Sequence, residues 1–284
     1  MRKLVISLVT AGLLCSSLLA QTSNEVKSDA LQNAKTQARD SNVKIVKEAL
    51  NSVLLTKKVL VDLEQNKKDL AIKDLESAIG KLEVIMAKKD APKLLPIDAS
   101  VSALEYVGSA KDVKKSVELV KDLLDDGKVQ EARKLLSSLA SEINIISVNL
   151  PLVSYPDALK LAAKYIHDGK IDSAKATLHT ALSTMVEEVV VVPIPLLKAE
   201  ALIEAASKIA KKDKEQALKH LESAKEELRV AEALGYLSDS DVTYKVLNEK
   251  IEAVEKEIKG KNRAEKLFDE LKEKFASFKE KLIK

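Results

Sequence analysis

Two segments that join β-branched residues to prolines interrupt a chain that otherwise reads as helix: Ile145 to Asp157 and Val189 to Leu197. Proline lacks an N–H and fixes φ, and it pushes the preceding residue out of the α region. β-branched side chains favour extended backbone for their own steric reasons. All six prolines fall between Pro92 and Pro195, in these two segments and in a third, Asp90 to Asp98. The three connectors therefore divide the chain. Their apolar content predicts joints packed against the protein, with short antiparallel pairing open to two of them.

Between the connectors the chain repeats itself. Ala71, Leu75 and Ala78; Ala132, Leu136 and Leu139; Ala174, Leu178 and Ala181; and Ala217, Leu221 and Ala224 share one spacing. Small or apolar residues at i, i+4 and i+7 lie on one face of a helix. Each copy follows a polar turn and an earlier helical pattern. Asp125-Asp126-Gly127-Lys128 and His167-Asp168-Gly169-Lys170 are the clearest turns, since glycine takes the left-handed conformation that ends a helix. The unit is a helical hairpin in the style of tetratricopeptide repeats. The first alanines step by 61, 42 and 43 residues, too irregular for a regular solenoid. The expected fold is all-α: an irregular array of antiparallel helical hairpins joined by proline-containing extended connectors, ending in a charged helical tail.

The expected boundaries are a signal peptide over 1–20, a polar arm over 21–42 that is flexible or weakly helical, a helical domain over 43–237 and a tail over 238–284. Arg2 and Lys3 precede a short apolar run ending near Ala20, the layout of a secretory leader cleaved between Ala20 and Gln21. The run falls short of the roughly 20 residues a membrane span needs. Cys15, the only cysteine, follows Leu14 where a lipid-attachment motif wants a small residue, which disfavours a lipoprotein. A periplasmic or secreted protein without stable membrane insertion is expected. In the tail, Tyr244, Leu247, Ile251, Val254 and Ile258, then Leu267, Leu271, Phe275, Phe278 and Leu282, form a narrow seam broken at Gly260. A hairpin folding back at Gly260 is favoured over an intermolecular coiled coil, the second case giving a homo-oligomer.

Composition excludes several classes of partner. Removing Arg2 and Lys3 from 47 basic residues leaves a net charge of +1 against 44 acidic ones. That balance gives no electrostatic case for nucleic acid. Aromatic residues make up 3% and tryptophan is absent, so platforms for stacking bases or sugars are scarce. No catalytic constellation stands out. His167, His179 and His220 have no His or Cys at i+3 or i+4, so zinc spacing is missing and no metal or cofactor is expected. His179 and His220 are read as lying on outer helix faces. No nucleophile elbow or phosphate-binding glycine loop occurs. Paired carboxylates at Asp125-Asp126, Glu187-Glu188 and Glu226-Glu227 read as solvated surface. Asp98, Tyr155, Asp157 and Glu200 lie in or beside the connectors and are the candidates for ligand contact, with Asp157 first a helix cap.

Leu150-Pro151-Leu152, Tyr155-Pro156-Asp157-Ala158, Asp168-Gly169-Lys170, Ala174 to Leu178, Pro193 to Glu200 and Pro96 to Val101 resemble the pattern of the bacterial YfdX family, over about Val43 to Leu237. The resemblance implies a secreted, mainly helical envelope protein with stress-related or chaperone-like roles, and it carries no catalytic residues. The expected function is non-enzymatic binding of proteins or small amphipathic ligands in grooves between hairpins. The alternatives are an enzyme built around the connectors and a scaffold assembling through its tail.

Overall fold

The computed structural model describes residues 21–40, 45–237, 242–261 and 263–282. The expected leader, its cleavage site and Cys15 lie outside the described residues. In chain order the elements are α1 (Ser23–Asp40), α2 (Lys47–Glu64), α3 (Lys68–Met86), β1 (Leu94–Leu104), α4 (Ala110–Asp125), α5 (Val129–Ser137) and β2 (Glu142–Pro151). There follow α6 (Tyr155–His167), α7 (Ile171–Ser183), β3 (Val186–Pro193), α8 (Ile194–Ile209), α9 (Lys214–Ala233), α10 (Val242–Lys259) and α11 (Glu265–Leu282). The mainly helical hairpin array expected from the sequence is present.

The repeated hairpins turn by one geometry. The amides of Lys67, Lys128 and Lys170 each reach back 2.8 Å to the carbonyls of Asp62, Leu123 and Tyr165. A left-handed residue precedes each lysine: Asn66 at φ 59°, Gly127 at 73° and Gly169 at 74°. This bond satisfies a carbonyl that the helix end would leave without a donor. The fourth turn works differently, with the Asp213 carboxylate accepting from the Gln216 amide at 2.9 Å to cap α9.

Each of the three proline connectors contributes to a strand, and the second and third run on into the first turns of α6 and α8, so Ile194 to Leu197 are helical and not extended. The strands form one sheet in the order β1-β2-β3, so pairing extends to all three and not to two alone. β2 is central, and its burial alternates from Ile143 through Ile145 and Ser147 to Asn149, as a pleated strand requires. Pro96 sits on an outer strand, where the missing N–H is tolerated, and its carbonyl accepts from Val46 at 2.8 Å. Pro151 and Pro193 close β2 and β3, and the amides that follow them, of Leu152 and Ile194, donate to the carbonyls of Lys93 and Ser141 at 2.8 Å.

The chain divides into two compact units, with boundaries after Ser100, Asn144 and Val189, one in each strand. The first holds α2, α3, α6 and α7. Here α2 packs on α3 and α7, and α6 packs on α3 and α7. Ala71, Ala78, Ala174 and Ala181 are buried between them beside Leu63, Leu75, Leu82, Leu159 and Leu178.

In the second unit α8 is the central helix. It is buried on nearly every side and packs against α1, α9 and α11. Residues 23–40, expected as a flexible or weakly helical arm, are an ordered helix, with Val26, Ala30, Leu31, Ala34 and Ala38 buried. A face made mostly of alanine gives little hydropathy signal, yet it allows close approach to the alanines of α8. The tail is not a separate element. α10 and α11 fold back on each other, α10 packs on α9 and α11 on α8. Leu247, Ile251, Val254, Ile258, Phe268, Leu271, Phe275 and Phe278 thereby enter the same core as α8. No helix among the described residues is long and apolar enough to cross a membrane.

Candidate functional site

The four sequence candidates are not gathered at one place. Asp98, Tyr155 and Asp157 belong to the first unit and Glu200 to the second. Asp98 is exposed on β1 and accepts from the Ala99 amide at 2.8 Å. Asp157 is not the cap of α6. Ser154 holds that position, Pro156 enters the first turn, and Asp157 stands exposed in that turn, 3.9 Å from Lys160. Pro156 is the second residue of α6, within the first turn where an N–H would have no helical partner, so its absence costs nothing there.

Tyr155 is fully buried. Its hydroxyl has no hydrogen-bond partner of good geometry among the described residues, although Thr56 lies close by. Burial pushes the phenol up to about 12, with the Thr56 hydroxyl opposing that rise. Thr56 itself donates to the Ser52 carbonyl at 2.8 Å and Ser52 to the Ala78 carbonyl at 3.2 Å.

Glu200 lies on α8 and meets Lys279 of α11 at 2.5 Å. Burial raises its carboxyl above the usual range; Lys279 offsets part of that rise and nearby Glu204 adds to it. One turn on, burial also acts to raise Glu204, but Lys272 and Lys208 outweigh it and hold that carboxyl below its usual value. These ion pairs fasten the tail helix to α8.

Sequence reading placed His220 on an outer face, and the structure overturns that. His220 is fully buried because α1 covers this side of α9, and its Nδ1 lies 3.0 Å from the Ser23 hydroxyl. Its Nε2 has no partner among the described residues, and burial holds the imidazole below its ordinary value. His167 and His179 are exposed, and no group of three metal-ligating side chains occurs among the described residues.

The hairpin faces themselves distinguish a surface that sequence reasoning passed over. The central motif leucine is fully buried in α3 (Leu75), α7 (Leu178) and α9 (Leu221), yet Leu136 of α5 is 48% exposed. Leu124 and Val129, on either side of the turn from α4 to α5, are 46% and 54% exposed. Within the motif the sequence differs only at Leu139, where the other three copies carry alanine, and the leucine at the centre is common to all four. α5 is nine residues long and, among the described residues, packs chiefly on α4.

The first half of α4 and the second half of α9 line an open groove of about 470 Å³. Ser109 positions α4 through a reciprocal cap with Asp112, and the Ala110 amide donates to Glu226 of α9 at 3.4 Å. Lys111, Lys114, Lys115 and Arg229 face the groove with Glu118, Glu226 and Glu232. Glu226 is engaged by Arg229 at 3.1 Å, and Glu232 accepts from the Tyr244 hydroxyl at 3.3 Å. The three lysines form no ion pair among the described residues. Four cationic side chains thus face three carboxylates in a groove lined in part by α4, the first helix of the hairpin that carries Leu124, Val129 and Leu136.

Comparison with known proteins identifies the helical region. Residues 52–191 match the YfdX protein family, a narrower range than the sequence motifs suggested, with Pro193 to Glu200 falling beyond it. No curated protein matches the chain. Among solved structures the chain is similar to YfdX of Salmonella Typhi, at 15% identity over 53% of this chain and 93% of that chain. The TM-score of 0.37 is too low to bear on the fold. Over residues 52–191, just under half of its length, this chain carries a YfdX-family region.

Proposed function

We propose that this protein is a non-enzymatic component of the cell envelope with a stress-related, chaperone-like role, binding amphipathic segments of other proteins or small amphipathic ligands. The carrying observation is the exposure of Leu136 at a motif position that is fully buried in the other three hairpins. An exposed apolar edge on the hairpin whose α4 also lines a groove bearing Lys111, Lys114 and Lys115 suits a partner with an apolar face and an anionic side. Helix α1, lying on α8 and α9, is an example within the chain of a hairpin receiving an amphipathic helix. The envelope location rests on the leader-like N-terminus and the family resemblance.

The test has two arms. The protein should suppress light scattering by a thermally aggregating reporter enzyme, and dodecanoate should raise its melting temperature. Replacing Leu124, Val129 and Leu136 with serine should weaken both effects while leaving the fold intact by circular dichroism. Absence of suppression together with absence of a thermal shift in the native chain would refute the reading.

A further inference from the structure

Two of the three strands lie at the edges of the sheet, and their outer edges differ. β3 ends at Pro193 and carries Glu187 and Glu188 side by side, charges of the kind that keep a strand edge from pairing. β1, with 11 residues, is the longest strand. Its edge is met near its start, where the Pro96 carbonyl accepts from the Val46 amide at 2.8 Å. Past Pro96 it holds no lysine, arginine or proline, and Asp98 is its one charge. Among the described residues no backbone hydrogen bond reaches residues 99–104 from outside the sheet, and the Ala99 amide is met by the neighbouring Asp98 carboxylate at 2.8 Å. The side chains from Asp98 to Leu104 are exposed, Val101 only in part.

This open stretch reads the same in both directions. Ala99-Ser100-Val101-Ser102-Ala103 is a palindrome about Val101. An antiparallel neighbour runs in the reverse sense, so a second β1 laid along the first with Val101 opposite Val101 sets Ser100 against Ser102 and Ala99 against Ala103. Each side chain then meets its own kind, β-branched at the centre and hydroxyl on either side, which are favourable cross-strand pairs. Asp98 falls opposite Leu104, which keeps the two aspartates about 20 Å apart along the strands, beyond the reach of screened repulsion. The contact is self-complementary, as a two-fold interface requires.

We propose that the outer edge of β1 pairs antiparallel with β1 of a second copy of this chain, centred on Val101. The pairing joins two three-stranded sheets into one continuous sheet. A second copy is the occupant, and not an extended stretch of another protein, because a palindrome matches only a partner related by a two-fold axis; an unrelated strand gains nothing from it.

Cross-linking in a Cys15→Ser background, where an introduced cysteine is the only one, reads the register. Residues directly opposite in antiparallel strands have Cα atoms about 4.5–5.5 Å apart, within the span of a disulfide. Val101→Cys should therefore oxidise to a covalent homodimer. Ser102→Cys alone should not, because its counterpart is offset by about 7 Å along the strands as well as across them. Ser102→Cys mixed with Ser100→Cys should give a heterodimer. Absence of the Val101→Cys homodimer in concentrated solution would overturn the proposal and leave the edge to other strands. Equal homodimer from Ser102→Cys would overturn it by exposing random collision. Sedimentation supplies a second arm: the mass of the native chain should rise toward a dimer with concentration. Val101→Lys, which sets two ammonium groups face to face, should stay monomeric with an unchanged circular dichroism spectrum. A native chain that remains monomeric, or a Val101→Lys chain that still dimerises, would overturn the proposal, and the cysteine arm decides if that spectrum changes.

Discussion

Leu136 and Leu178 hold the same place in two copies of one helical motif, yet Leu178 is fully buried and Leu136 is half exposed. Leu178 sits where two hairpins close on each other, with α2 on α7 and α3 on α6. Leu136 has α4 beside it and no second hairpin over its outer edge. Truncation should separate the two. Leu178→Ala removes a buried side chain and leaves a cavity, which costs about 3 kcal/mol. Leu136→Ala gives up a half-solvated contact and should cost about 1 kcal/mol or less. Urea unfolding of both variants provides the measurement, and equal losses would contradict the difference in packing.

The pair of Glu200 and Lys279 predicts a non-additive effect. Lys279→Met leaves Glu200 largely buried without its cation, and its carboxyl should rise further above the usual range. Removing one partner of a well-buried pair costs roughly 3 to 5 kcal/mol, and the partial exposure of Glu200 puts this case at about 2 to 3 kcal/mol. Replacing both residues with Met should cost less than Lys279→Met alone, because no charge is left stranded. A double-mutant cycle in urea reads this directly, and simple additivity would show that the contact does not couple the residues.

His220 predicts a slope of stability with pH. Burial is the main cause holding its imidazole below the ordinary value of 6.5, against a smaller upward pull from Asp213. In the window below 6.5 the unfolded chain takes up a proton that the folded chain does not, so stability falls as pH drops through that range and is unaffected above it. The Ser23 hydroxyl against Nδ1 makes α1 the element first loosened. Urea midpoints at pH 7.5 and 5.5 should differ more for the native chain than for His220→Leu. Identical differences would remove His220 as the cause.

Tyr155 predicts silence. Its hydroxyl is buried and lacks a hydrogen bond of good geometry, so Tyr155→Phe removes a polar group that gains little from folding. The variant should keep its stability within about 1 kcal/mol and bind clients normally. A large loss of binding would restore the connector region as a candidate site.

Much of this fold is legible in the residues, and the parts that are not share a physical cause. Hairpin turns declare themselves because Gly127 and Gly169 supply a conformation few residues adopt. The strands declare themselves as breaks because Val189 to Val192 and Pro193 resist helix, although residue preferences could not say that all three connectors would pair. The tail seam was readable as a seam, and the helices that close it, α8 and α9, were not. α1 was misread because Ala30, Ala34 and Ala38 bury little area. His220 was misplaced because α1, nearly two hundred positions earlier, supplies its cover. The site was least legible of all, since Leu136 and Leu178 hold the same motif position and their exposure is set by what packs over them.

The α4–α5 hairpin, with exposed Leu124, Val129 and Leu136 and a lysine-bearing groove along α4, is proposed to receive amphipathic partners. Hydrogen–deuterium exchange of the native chain, with and without an unfolded reporter enzyme held in solution, tests it most directly. The account predicts slowed exchange concentrated in residues 110–139 and on the facing side of α9, and its loss when Leu124, Val129 and Leu136 are replaced by serine. Slowed exchange elsewhere with none in 110–139 would contradict it.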